Sequence, residues 1–146
     1  MADKYGQQAW ASGAFANVGD AQASTCLMRN ATVNATPAEL YLDGAAARLT
    51  VPTGKSWMFQ IMLVARKDDG LTSIYKSEGL ITNVAGVVTM PLAATTTEIY
   101  DGITLPATPV VVTADDPNNA LIITVTGVAA TNVRWVARVE LVEVFY

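Results

Sequence analysis

Thr53-Gly54-Lys55-Ser56 is the stretch that most invites a chemical reading, because it has the closing residues of a phosphate-binding loop. Such a loop needs a glycine five positions before Gly54. It also needs a helix after Ser56, so that backbone N–H groups converge on phosphate. Leu49 holds the first position and a strand pattern follows Ser56, so turn chemistry accounts for these residues. Asp68-Asp69-Gly70 and Asp115-Asp116-Pro117-Asn118-Asn119 gather oxygen atoms that suit calcium. Neither has the alternating acidic spacing or the closing glutamate of a calcium loop. A cation shared between loops is the one metal arrangement they leave open; tight turns explain both, and no metal site is assigned.

Paired carboxylates could cleave glycosidic bonds. Of the 13 acidic residues, nearly all fall in predicted loops or on outward strand positions, with Glu78 and Glu140 the mid-strand candidates. A small sandwich rarely holds the deep cleft this chemistry needs. Cys26 lies in a predicted strand and reads as a small buried hydrophobe. The chain has no histidine, which excludes Ser-His-Asp triads, Cys-His pairs and His-ligated zinc. One cysteine excludes an internal disulfide. No catalytic residue and no cofactor is expected, and the protein is not expected to be an enzyme.

These side chains belong to a chain of 146 residues, room for one domain with one core. Hydrophobic residues make up 51% and charged residues 15%, with a net charge of −4. That balance argues against a nucleic-acid partner, which calls for a basic face. No run approaches the roughly 18 uncharged apolar residues of a membrane span, so no membrane partner is expected either. The N-terminus shows no continuous apolar leader segment. A charge-poor surface is a hazard for a lone monomer and ordinary for a subunit of an assembly.

Residues 1–23 are rich in Ala, Gly, Gln and Ser and show no alternation. Tyr5, Trp10 and Phe15 punctuate them at a spacing of five, which fits neither one helix face nor one strand face. They read as an extended N-terminal arm whose aromatics anchor it either to a neighbouring subunit or to the edge of the chain's own sandwich. From residue 24 the pattern turns to period two. Trp57, Phe59, Ile61, Leu63 and Ala65 share one face, and so do Val133, Trp135, Ala137, Val139 and Leu141. Shorter strands are predicted at Cys26–Met28, Leu40–Leu42 and Leu49–Val51. Others are predicted at Thr72–Asn83, Val87–Leu92, Ile99-Tyr100, Val110–Thr113 and Leu121–Thr126. Gly79 reads as a bulge or a point of close packing. No helical stripe occurs. Eight to ten short strands with turn signals predict an all-β fold: a single antiparallel β-sandwich, jelly-roll-like, over residues 24–146.

The run from Gly19 to Gln22, then Arg29 to Gly44, resembles a module of tailed-bacteriophage virion proteins. Arg48 to Pro52, Trp57 to Arg66, Ala114 to Leu121, Thr126-Gly127 and Val133 to Val139 continue the resemblance, which covers about residues 19–146. It implies a phage structural β-sandwich, either a capsid cement (decoration) protein or a tail-fibre or tailspike-type tip. The chain contains no long shaft; a 23-residue arm reaches at most about 80 Å. A small sandwich with a sticky arm therefore favours the cement role, on the capsid surface of a virion assembled in the host cytoplasm. Its partners would be the major capsid protein and, by analogy with other decoration and fibre proteins, two further copies in a homotrimer. The alternative is a tip that binds a host surface receptor through Asp68 to Leu71, Ala94 to Thr97 and Asp115 to Asn119.

Overall fold

The computed structural model describes residues 1–146, and every regular element is a strand. The elements are β1 (Gln8–Trp10), β2 (Ala21–Thr32), β3 (Ala38–Glu39), β4 (Leu49–Thr50), β5 (Lys55–Lys67), β6 (Thr72–Val84), β7 (Val87–Asp101), β8 (Val110–Asp115), β9 (Ala120–Val125) and β10 (Val133–Phe145). Period-two alternation produces the long ones, since each buries one face and leaves the other to solvent. Six strands form one sheet in the order β1-β2-β10-β5-β6-β7. In the smaller sheet β9 is central: β8 runs along one edge, while β3 and β4 take successive parts of the other. All pairings are antiparallel.

The inner faces meet in one cluster of 25 buried residues. Trp57, Phe59, Ile61 and Leu63 from β5 and Trp135, Val139 and Leu141 from β10 pack against Leu121, Ile123 and Val125 of β9. Burying each such side chain contributes roughly 1.5–3 kcal/mol, which makes this layer the main source of stability. Trp57 and Trp135 are core residues, as their parity predicts. Gly79 is both things expected of it. The pairing of β6 with β7 shifts between Glu78 and Leu80, and a Cβ on Gly79 would lie 2.7 Å from Phe59 Cζ.

Several elements differ from the sequence reading. Residues 8–10 form an edge strand of the chain's own sheet, and β2 begins at Ala21, inside the segment read as an arm. The Asp20 carboxylate accepts the N–H groups of Phe15, Ala16 and Asn17 and holds this segment in a turn against the sandwich. Residues 40–42 contribute one isolated bridge, Tyr41 to Arg29, while the short strand lies just before them. Val87–Leu92 and Ile99-Tyr100 are two ends of one strand, β7. Its Ala- and Thr-rich middle lacks alternation because it is largely exposed on both faces.

Candidate interaction face

The outer face of the six-stranded sheet follows directly from strand register. One row across the sheet reads Trp10, Ala23, Val142, Met58, Leu80, Leu92. Val142 is 64% exposed, Met58 55% and Leu92 62%, so nothing in the chain covers this apolar belt. A second belt reads Val136, Val64, Ile74, Tyr100. Two rows that carry the charged residues lie between the belts. The row next to the second belt holds Leu27, Arg138, Met62, Lys76 and Thr97; the row next to the first holds Thr25, Glu140, Gln60, Glu78 and Thr95. Glu78 and Glu140 thus stand on the outer face as part of a charged stripe. Within the chain Lys76 pairs with Glu78 at 3.3 Å and Arg138 pairs with Glu140. Contiguous apolar surface on this scale marks a contact site.

Tyr5, Trp10 and Phe15 are all exposed, but they do not form one cluster. Trp10 ends the first apolar belt and shares a shallow depression with Met58 and Val142. Phe15 lies in an apolar groove with Val144, Phe145 and Tyr146.

The predicted loop contacts divide between the two ends of the sandwich. Asp68, Asp69 and Gly70 form the β5–β6 turn, where Asp69 accepts the Leu71 N–H and pairs with Lys67 at 2.6 Å. That ion pair, with the Leu71 N–H, holds the Asp69 carboxyl below the usual carboxylate range. Asp115, Asp116, Asn118 and Asn119 lie at the opposite end, beside the β6–β7 turn. Asp116 accepts the Val88 N–H, Asp115 accepts from Asn118, and Asn83 donates to Asn119 Oδ1. Ala94 to Thr97 is strand, not loop. The three segments expected to form one receptor site are therefore not brought together. Asp69 and Asp115 close their own turns, while Asp116 and Asn119 tie theirs to the β6–β7 hairpin.

A buried polar cluster lies near the Asp115–Asn119 end. Glu143 is 3% exposed and accepts from Gln22 Nε2 at 3.0 Å, Ser24 Oγ at 2.5 Å and Lys55 Nζ at 2.9 Å. Lys55, the cation of the phosphate-loop lookalike, is engaged by this carboxylate. Its neighbour Gly54 supplies the turn, with φ +83° and a Cβ position 2.6 Å from Phe145. The signal for Glu143 is its parity, which continues the inward set Val133 to Leu141. Cys26 is buried, and desolvation, with the negative charge of Glu143, pushes its thiol up to about 12. It is held as a neutral thiol, unsuited to nucleophilic work.

No family model matches the chain, and no curated protein matches it. Among solved structures it is similar to part of a tailspike protein, gp49 of Acinetobacter baumannii bacteriophage Fri1, described as a capsular polysaccharide depolymerase. That likeness has a TM-score of 0.49 and 12% identity over 92% of this chain and 19% of that one. It is also similar to part of the tailspike protein of Acinetobacter phage vB_ApiP_P1, with a TM-score of 0.35 and 13% identity over 85% of this chain and 22% of that one. The chain spans about a fifth of the length of either tailspike.

Proposed function

We propose that the chain is a non-catalytic attachment and assembly module of a tailed-phage virion, sited in the tail as part of a fibre or tailspike-type protein that meets a host surface receptor. The sequence resemblance over about residues 19–146 supports the phage origin. What favours the tail over the capsid is the state of the first 23 residues. A cement protein built as first expected needs a free arm to reach coat subunits, whereas here β1 pairs with β2 and Asp20 ties residues 15–17 back to the domain. The outer sheet face then supplies the surface for assembly with a neighbouring subunit.

The exposed Tyr5, Trp10 and Phe15 favour a second reading, capsid cement in contact with the major capsid protein. Quantitative mass spectrometry of the parent virion, with immunogold labelling, separates the two. The tail reading expects a few to a few dozen copies and label at the tail. Hundreds of copies with label over the capsid would overturn it in favour of cement.

A further inference from the structure

The order of rows on the outer sheet face has a symmetry consequence. From one end to the other the rows run apolar (Val136, Val64, Ile74), basic (Arg138, Lys76), acidic (Glu140, Glu78), apolar (Val142, Met58, Leu80). We propose that this face packs on the same face of a second copy about a two-fold axis that crosses the strands between the basic and acidic rows. The operation keeps β10 opposite β10 and exchanges the rows. Arg138 then faces Glu140 of the second copy, Lys76 faces Glu78, and each apolar belt faces the other.

The charges select this axis. A two-fold axis along the strands would leave every row facing itself, basic against basic and acidic against acidic, which like-charge repulsion disfavours. The chosen axis turns each intrachain pair into a four-charge network, and it leaves Arg29, Arg66 and Arg134 at the periphery of the contact, opposite Ala23, Ser56 and Val144. The strand direction fits too, because stacked sheets align within about 30° at a spacing of about 10 Å. The area is sufficient. From β2 to β7 the face spans about 19 Å and, from the Arg134 row to the Val144 row, about 34 Å along the strands, a flat footprint on the order of 650 Å². Side-chain relief raises the accessible area towards the roughly 800 Å² per partner of a stable interface. The inference replaces the homotrimer expectation for this face, since an isologous contact closes on two copies. It does not depend on where in the virion the protein sits.

Charge reversal on the full chain tests it. Light scattering coupled to gel filtration, at high micromolar concentration, should give a dimer for the unaltered protein. Arg138→Glu and Glu140→Arg should each weaken self-association roughly tenfold or more, because each sets like charges across the axis. Mixing the two variants should restore a dimer, now mixed. At these two positions one variant carries only acidic side chains and the other only basic ones, so every charge again meets its opposite across the axis. Thermal melts of the separate variants check that each folds. Either variant failing to fold moves the same exchange to Lys76→Glu and Glu78→Lys. A monomeric or trimeric unaltered protein overturns the proposal, and so does a mixture of folded variants that stays apart.

Discussion

Lys55 Nζ lies 2.9 Å from Glu143 Oε2, joining the first residue of β5 to the end of β10 across one strand pair. The carboxylate is buried while the ammonium keeps a little solvent access. A buried charge is tolerated when its partners satisfy it, and Glu143 has three donors from three residues. Glu143→Ala removes the shared acceptor and strands Ser24, Gln22 and Lys55. The expected loss is about 3 kcal/mol of unfolding free energy in urea titration, with a smaller loss for Glu143→Gln, which keeps a carbonyl acceptor. Equal losses for both variants would show that charge, not hydrogen bonding, is what the site requires.

Gly79 owes its place to packing. Its missing side chain leaves room for Phe59, whose Cζ would lie 2.7 Å from an added Cβ, with Ala94 Cα at 3.3 Å. Phe59 is fully buried and has nowhere to swing. Gly79→Ala should cost about 1–3 kcal/mol by overpacking. Adding Phe59→Leu should recover part of that loss, a coupling that a double-mutant cycle reads directly.

These two sites mark how far the sequence could be read. The long inward stripes of β5 and β10 were legible because Val, Ile, Leu and Trp recur at period two. Strand β2 was half hidden. Its inward positions Gln22 and Ser24 are polar, and only the carboxylate of Glu143, more than a hundred residues away, makes burying them favourable. The outer face was harder still. Met58 and Val142 were visible as alternating residues, but their alignment in one belt with Trp10 and Leu92 depends on register across six strands. Local periodicity gives each residue's face, but the alignment of β10 with β2 and β5 joins segments far apart in the chain.

The two core tryptophans should respond differently to loss of the indole nitrogen. Trp135 Nε1 donates a 3.0 Å hydrogen bond to the buried Thr32 Oγ1, while Trp57 Nε1 is buried without a partner. Replacement by Phe leaves similar unfilled volume at both positions. Trp135→Phe also forfeits a bond, whereas Trp57→Phe removes an unsatisfied donor. The first should therefore be more destabilising by about 1 kcal/mol. Urea midpoints at unchanged slope measure the difference, and the reverse order would refute this account.

Asp43 supplies an acid-sensitive contact. Its Oδ1 accepts the N–H groups of Ala45, Ala46 and Ala47, each at 2.9 Å, and so closes a turn that three alanines could not hold by themselves. The N–H of Ala47, then those of Ala45 and Ala46, lower the carboxyl from 3.8 to about 2. Asp20 moves in the same direction, through the N–H groups of Asn17 and Ala16 above all. A depressed folded-state value means that the unfolded chain binds the proton more readily. The stabilisation is therefore complete above about pH 4 and is lost as pH falls towards about 2. Asp43→Asn keeps an acceptor but cannot titrate. Its melting temperature should start lower than that of the unaltered protein at neutral pH and fall less steeply through that window. Parallel acid limbs for the two proteins would remove Asp43 from the acid response.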